Sequence, residues 1–308
     1  MSQLAPIALF AYRRNAHLRR AVEALRLNSL ARESDLHVFC DAPRKPEDEY
    51  GVACVKQYVK TITGFKSVKI IYRENNLGLF KSVLSGVTSI CNAEGKVIVL
   101  EDDLLVAPDF LRFMNDALSI YEKEKSVYQI SGYKFPVPSG PDDTALFLPI
   151  ISCWGWATWK RAWDHFDASL EGLERIRAVP ALRKRFDVNG TYDYFRMATD
   201  QRDGRIHSWG ICWYLSVFLR DGLVLYPARS LVQNIGTDDS GTHGAGHAEL
   251  QESLELAIYD PTKQRFPDQI NYTSSNFRAV ENILRRVRPS FIRRLIYWVK
   301  SKKSLLNF

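Results

Sequence analysis

The first hundred residues alternate between short apolar runs and longer segments of helical character. The apolar runs, each as long as a buried strand, are 6–11, 36–40, 68–72 and 96–100. The segments between them, with helical spacing or helical length, are about 18–30, 46–61 and 79–91. This β-α-β-α-β-α-β order predicts a mostly parallel sheet wrapped by helices. A chain that begins in this way is confined to the α/β class.

The rest of the chain is less regular. A helix is predicted over 108–124, a strand over 127–132 and a late edge strand over 223–227, with a tryptophan-rich block at 153–163 between them. The length of 308 residues suits one large α/β domain or two fused units. No internal repeat interrupts this pattern.

Polar side chains follow the predicted strands at the points where they end. They are Arg13, Asp41, Asn76 and Asp103. In open parallel sheets, ligands bind outside the carboxyl ends of the strands. We therefore expect these four residues to converge on one crevice.

The run Glu101-Asp102-Asp103 comes directly after the fourth apolar strand. Under the two-residue period of a strand, Glu101 and Asp103 share one face and Asp102 lies on the other. Three carboxylates in a crevice are natural oxygen ligands for Mg²⁺ or Mn²⁺, which is usually held by one or two carboxylates and substrate phosphates. The alternative is an acidic cap at the start of a helix.

The segment 97–110, VIVLEDDLLVAPDF, resembles the signature of the N-acetylglucosaminyltransferase I family. The tryptophan-rich block and the segment around 234–243 are similar to those of related bacterial surface-polysaccharide glycosyltransferases. The resemblance covers roughly residues 5–247. It implies the Rossmann-like GT-A fold, a nucleotide-sugar donor and inversion at the anomeric carbon. We expect three parts: a nucleotide-sugar-binding part (1–132), an acceptor-binding part that completes the domain (133–275) and, from its charge, a basic tail (276–308).

Residue roles carry over from that resemblance. Asp103 is expected to bind Mn²⁺ or Mg²⁺, and Glu101 and Asp102 to face the ribose and the donor sugar. Arg13 is expected to contact the nucleotide, and Asp41 the base, which is uracil if the donor is a UDP-sugar. Further expected contacts are Lys81 on the nucleotide side, His243 as a second metal ligand and Asp239 on the sugar or diphosphate.

The catalytic base is the point at which the chain departs from the family pattern. An inverting transfer needs a group that takes the proton of the acceptor hydroxyl. Gly210 stands where the family has an Asp beside a Trp, and the nearest candidates are His207 and Asp203. An aromatic face suits a sugar ring, so the tryptophans at 154, 156 and 159 are candidates for the border of the acceptor site, with core packing as the alternative.

The net charge of +7 is concentrated at the end of the chain. Residues 278–308 hold nine basic residues and one acidic residue, so the remainder is close to neutral. A nucleic-acid binder would show a basic face on its body, and no such class is indicated. The tail predicts either contact with an anionic membrane, which fits a lipid-linked acceptor, or a helix packed on the domain.

Other sequence features bear on the location of the protein and on the classes to which it can belong. The five cysteines form no C-x-x-C pair, which argues against a disulfide framework and a structural zinc site. With no signal pattern and no apolar run of 18 residues, we expect a cytoplasmic protein, peripheral on the inner face of the plasma membrane if the tail binds lipid. A nucleotidyltransferase, methyltransferase or dehydrogenase would carry a glycine-rich loop after the first strand, and 10–15 has no glycine. A catalytically inactive saccharide-binding protein on a transferase scaffold stays open.

Overall fold

The computed structural model of the chain describes residues 3–136, 144–236 and 266–287. Its strands, in chain order, are β1 (Ile7–Ala11), β2 (Asp35–Cys40), β3 (Ser67–Tyr72), β4 (Lys96–Glu101), β5 (Leu104–Val106), β6 (Val127–Ser131), β7 (Leu146–Leu148), β8 (Trp156–Trp159), β9 (Leu223–Tyr226) and β10 (Val232–Asn234). Its helices are α1 (Asn15–Arg26), α2 (Glu49–Val59), α3 (Gly78–Glu94), α4 (Phe110–Ile120), α5 (Lys160–Trp163), α6 (Leu173–Ala178), α7 (Pro180–Phe186), α8 (Tyr194–Arg202), α9 (Trp209–Phe218) and α10 (Ser274–Val287).

Eight strands form one sheet in the order β3-β2-β1-β4-β8-β6-β9-β7. The first four pair in parallel, as the β-α alternation predicts, and β6 and β9 run in the same direction as they do. Only β8 and β7 run the other way. The α/β class with a mostly parallel sheet is therefore confirmed.

Helices cover both faces of the sheet because apolar residues occupy both sides of its strands. Ile7 and Leu9 of β1 pack in one cluster with residues of α1, α2 and α4. Ala8 and Phe10 pack on the other side with residues of α3, α5 and α9. The two-residue period of the strand thus divides one apolar run between two cores.

The connections reverse direction between β1 and β4. From β1 the chain adds β2 and β3 on one side, and it then returns to place β4 on the other side of β1. The carboxyl ends of β1 and β4 therefore flank a topological switch point, the place where open α/β sheets bind ligands.

Two strands differ from the sequence-based prediction. The segment 223–227 was predicted to be an edge strand, but β9 is covered by β7, which forms the edge. The tryptophan-rich block contributes β8, a four-residue strand that is buried along its whole length and is inserted antiparallel between β4 and β6. Its two sides both face protein, so it lacks the polar alternation that marks a half-exposed strand.

A second, two-stranded sheet closes the region behind Asp103. In it β5 pairs antiparallel with β10, so that Leu104 lies opposite Asn234. The Ile235 N–H extends this ribbon by donating to the Asp103 carbonyl oxygen at 2.8 Å. This ribbon brings Ile235 and Gly236 to the carboxyl end of β4.

The helix α10 packs on the domain. Val280 and Leu284 are buried against the cluster that contains Tyr226, while Arg285 and Arg286 are exposed. For residues 274–286 the packed-helix alternative from the sequence is therefore the observed one, and 288–308 lie outside the described residues. Within the described ranges, no helix has both the length and the apolar character to cross a bilayer.

Candidate functional site

The loop after β1 carries two adjacent arginines that point to different partners. Arg13 forms an ion pair with the buried Asp48, with Nη1 2.6 Å from Oδ1. Arg14 turns to the carboxylates at the end of β4 instead. Its Nη2 donates to Asp102 Oδ1 at 2.5 Å and to Asp103 Oδ2 at 2.8 Å.

The strand β4 ends at Glu101, and the chain turns at the two aspartates before β5 begins. The alternation of strand faces therefore stops at Glu101. The sequence-based pairing of Glu101 with Asp103 on one face is wrong, because the turn brings Asp102 and Asp103 together on Arg14. We call Arg14, Glu101, Asp102 and Asp103 the carboxylate centre.

Gly236 completes the wall of this centre. A methyl group on its Cα would overlap Asp103 Oδ2 and would lie 2.9 Å from Arg14 Nη1. Its own N–H donates to Asn234 Oδ1 at 2.7 Å, which fixes the backbone at the end of β10. The backbone at 236 is therefore in direct contact with the ion pair.

Burial shifts the protonation of the acidic groups. Burial raises the pKa of Glu101 to about 8, and the charges of Asp103 and Asp102 add to the shift. Burial also raises the pKa of Asp102 to about 6, although the Arg14 charge works against it. Burial lowers the pKa of Arg14 less than the two aspartates raise it, so that the guanidinium stays charged. The single guanidinium thus pairs with two aspartates, while Glu101 keeps its proton up to about pH 8.

Asp41 has a structural role in this conformation. Its Oδ1 accepts from the N–H groups of Ala42 and Leu77, both at 2.9 Å, and its Oδ2 accepts from Gly78 N–H at 2.8 Å. Asn76 donates from Nδ2 to the Ala42 carbonyl oxygen at 2.7 Å. The two strand-end residues therefore bind the loops after β2 and β3 to each other, and Asp41 caps α3.

Of the other predicted contacts, two lie within the described residues and two do not. Lys81 is exposed on the first turn of α3, and Arg13 is exposed apart from its ion pair with Asp48. Asp239 and His243 lie outside the described residues.

The candidate bases lie on the loop between α8 and α9. His207 is exposed, and the Asp203 carboxylate is paired with Arg205 at 2.8 Å and with Arg202 at 3.6 Å. In the described part of the chain, no hydrogen bond or ion pair joins either residue to the carboxylate centre. Their catalytic role stays a prediction.

Gly210 reaches the neighbourhood of the centre through Cys153. A methyl group at Gly210 would lie 2.8 Å from Cys153 Sγ, so a larger side chain there would require Cys153 to shift. Burial raises the pKa of the Cys153 thiol, and the charge of Glu101 contributes to the shift. Gly210, which stands where an Asp was expected, therefore lies in the contact between α9 and the segment before β8.

The tryptophans divide between core and border. Trp156 and Trp159 are buried, so for these two the core alternative is the observed one. Trp154 is partly buried and packs edge-on against Tyr133, with ring centroids 4.8 Å apart. The chain bends at Gly155, which lies against Leu100, and the Glu101 charge reaches Cys153, so the segment that carries Trp154 passes the carboxyl end of β4. Trp154 is thus the member of the three that can border a site beside Glu101.

The carboxylate centre fits a divalent cation only in part. Carboxylate oxygens suit Mg²⁺ and Mn²⁺. Across residues 3–136, 144–236 and 266–287, however, no three His, Cys, Asp or Glu side chains are placed to hold one ion together. Asp103 and Asp102 therefore fit a cation that takes its remaining ligands from substrate phosphates and water.

Sequence reasoning missed Arg14, Asp48 and Gly236. For Arg14 the signal was present, because it is one of two arginines after β1, but strand periodicity does not extend into a loop. Asp48 follows Pro46 in a predicted helix and gives no sign of its ion pair. Gly236 depends on a contact between distant parts of the chain.

Comparisons with known proteins find similarity of shape alone. No protein-family model matches the sequence, and no curated protein does. Among solved structures, S. aureus TarS has 12% identity over 77% of this chain and a TM-score of 0.42. The mannosyltransferase PcManGT from Pyrobaculum calidifontis, in complex with GDP-Man and Mn²⁺, has 11% identity and a TM-score of 0.37, over 70% of this chain and 73% of its own.

Mouse xyloside xylosyltransferase 1 has 10% identity and a TM-score of 0.39, over 70% of this chain and 82% of its own. The match spans 37% of the TarS chain and 61% of its 1–349 fragment. At such TM-scores the argument for function has to come from the carboxylate centre itself.

Proposed function

We propose that the chain is a metal-dependent glycosyltransferase that moves a sugar from a nucleotide-sugar, a UDP-sugar being favoured, to a saccharide acceptor. The observation that carries the proposal is the position of the carboxylate centre. Arg14 follows β1, and Asp102 and Asp103 follow β4, so that they flank the switch point of the sheet. A crevice of this kind with buried carboxylates and a guanidinium suits a diphosphate held with a cation.

Each carboxylate of the centre has a defined task in this proposal. Asp103 holds the Mn²⁺ or Mg²⁺, which when bound neutralises charge on the departing diphosphate. Glu101 and Asp102 face the ribose and the donor sugar. The nucleotide lies along the loops after β1, β2 and β3, within reach of Arg13, Asp41 and Lys81, and Asp239 and His243 are proposed to add contacts to the sugar or diphosphate and to the metal.

The acceptor is proposed to enter from the side of the segment before β8. Trp154 is proposed to contact the sugar there, because aromatic faces suit the apolar side of a sugar ring. His207 or Asp203 is proposed to take the proton of the acceptor hydroxyl in an inverting transfer. The exposed Arg285 and Arg286 of α10 belong to the basic stretch 278–308, which supports a lipid-linked acceptor at an anionic membrane, as in surface polysaccharide synthesis.

A thermal-shift screen tests the proposal. UDP-, GDP-, CMP- and dTDP-sugars are added with Mn²⁺ or with EDTA to the wild type, Asp103→Ala and the control Asp164→Asn. Asp164 is a surface carboxylate paired with Lys160. We expect one donor class to stabilise the wild type and the control in Mn²⁺ alone, and the shift to disappear in Asp103→Ala. An equal thermal shift in the wild type and in Asp103→Ala would show that Asp103 of the carboxylate centre does not contribute to donor binding.

Gly210 favours a second function, a saccharide-binding protein that no longer transfers sugar. The position expected to hold the base has no side chain and is packed against Cys153. Measuring release of sugar from the stabilising donor in Mn²⁺ separates the two functions. Hydrolysis above the protein-free rate supports the enzyme, while donor binding without hydrolysis or transfer supports the binding protein.

A further inference from the structure

Arg14 holds the oxygen atom that the proposed function assigns to a metal ion. Its Nη2 lies 2.8 Å from Asp103 Oδ2 and 2.5 Å from Asp102 Oδ1. A cation bound by Asp103 Oδ2 would have a guanidinium as its immediate neighbour, because both would share one oxygen. Two positive charges at such a distance repel each other strongly in a buried site.

The other half of the guanidinium is unused. Arg14 Nη1 is buried, and none of the described residues accepts a hydrogen bond from it. An unpaired buried donor is costly and calls for an acceptor. It lies against the backbone of Gly236, where a methyl group would come within 2.9 Å of it. The guanidinium is therefore paired with the aspartates through Nη2, while Nη1 is buried with no acceptor among the described residues.

We propose that Arg14 is an internal counter-ion that competes with the divalent cation for Asp103, so that the free protein binds metal weakly and takes it up together with the nucleotide diphosphate. The inference rests on the proposed function, since that function supplies the diphosphate. Phosphate oxygens are acceptors that suit an arginine fork. A diphosphate that draws Arg14 toward it through Nη1 frees Asp103, and metal and nucleotide then strengthen each other's binding by the same factor.

The test measures Mn²⁺ binding by electron paramagnetic resonance of the free ion, first without any nucleotide. The variants are Arg14→Gln, which keeps polarity but removes charge, and Arg14→Lys, which keeps charge. Arg20→Gln is the matched control, because Arg20 is an exposed arginine of α1. We expect Arg14→Gln to bind Mn²⁺ at least about tenfold more tightly than the wild type, and Arg14→Lys and Arg20→Gln to bind like the wild type.

A further substitution shows where the ion binds. Asp103→Asn in the Arg14→Gln background is expected to abolish the tighter binding. If Arg14→Gln does not fold, the pair Asp102→Asn and Arg14→Gln/Asp102→Asn replaces it, because the second aspartate charge is then absent. Tighter binding by the double variant than by Asp102→Asn supports the proposal, and equal binding overturns it.

Adding UDP, or the nucleotide identified by the donor screen, separates this inference from the proposed function. We expect the nucleotide to strengthen Mn²⁺ binding by at least about tenfold in the wild type and by less in Arg14→Gln. Equal Mn²⁺ affinity of wild type and Arg14→Gln without nucleotide overturns the counter-ion role and leaves the donor site standing. Tighter binding by Arg14→Gln with no effect of any nucleotide overturns the donor site and leaves the competition between Arg14 and metal.

Discussion

At Gly236 the backbone lies against the side chains of Asp103 and Arg14, with no space for a methyl group. We expect Gly236→Ala to lower the free energy of unfolding by about 1–3 kcal/mol, as overpacking does, and to remove donor-induced stabilisation. Urea unfolding and the thermal-shift screen measure the two effects.

A double-mutant cycle tests whether the contact between residue 236 and the Asp103 carboxylate causes this loss of stability. In an Asp103→Ala background the overlapping oxygen is gone, so Gly236→Ala should cost about 1 kcal/mol less there than in the wild type. Additive costs would show that the methyl group acts elsewhere.

The two arginines after β1 illustrate how far sequence reasoning reaches at the scale of a residue. The carboxyl ends of the strands and the acidic run were both accessible, because each follows from where the apolar runs end; the switch point was not, since it depends on the order of the strands in the sheet. Which arginine turns inward was not accessible, since loop backbone sets that choice. Arg13 was predicted to contact the nucleotide, which stays a prediction; the structure pairs Arg13 with Asp48 and Arg14 with Asp102 and Asp103.

At the scale of the element, α3 depends on the Asp41 carboxylate. Asp41→Asn replaces one acceptor oxygen with an amide group, which would face a backbone N–H. We expect a loss of about 1–2 kcal/mol in the free energy of unfolding. Asp109→Asn is the matched control, because Asp109 precedes α4 without forming a cap hydrogen bond. Similar losses for both variants would contradict the capping role.

The same Asp41 variant bears on the predicted contact with the base. Nucleotide affinity is compared at a temperature where both proteins are folded. Weaker affinity in Asp41→Asn, with Asp109→Asn unchanged, would support a contact with the base in addition to the cap.

The helix α10 is expected to stabilise the domain by burial. Leu284→Ala removes a buried side chain from the cluster around Tyr226 and should cost about 2–4 kcal/mol. Arg285→Ala, an exposed change on the same helix, should stay within about 0.5 kcal/mol of the wild type. If both leave the urea midpoint unchanged, α10 does not pack on the domain in solution.

The elements differ in how well the sequence predicted them. The first four strands and three helices were predicted within a few residues, because each carries a continuous apolar run or a helical repeat. The strand β8 was not, since its four buried residues show no period of their own. Its partners β4 and β6 determine its place in the sheet, and that information is not local.

At the scale of the molecule, the buried acids make stability depend on pH. In metal-free protein, Glu101 and Asp102 keep their protons up to about pH 8 and about pH 6, whereas unfolded carboxyls release them at roughly pH 4. Between these values the folded protein binds more protons than the unfolded chain. Stability should therefore fall as the pH rises from about 4 to 8, by up to about 1.4 kcal/mol per pH unit for each group.

Urea unfolding in EDTA between pH 5 and pH 8 measures this slope. Glu101→Gln should flatten the slope between pH 6 and pH 8 and stabilise the metal-free protein at pH 8. The exposed Glu33 offers the control Glu33→Gln, which should keep the wild-type slope. An unchanged slope in Glu101→Gln would show that Glu101 ionises normally.

The ribbon of β5 and β10 joins two parts of the chain that leave the ribosome at different times. Asp103 and the strand that precedes it are synthesised early, together with Arg14, but Gly236 follows only after residues 104–235 have been made. Until then the nascent chain exposes an edge of β5 and an unshielded cluster of acids, the kind of unpaired strand edge on which partly made proteins associate. The edge of β5 and the acidic residues are therefore covered only when β10 and Gly236 have been synthesised.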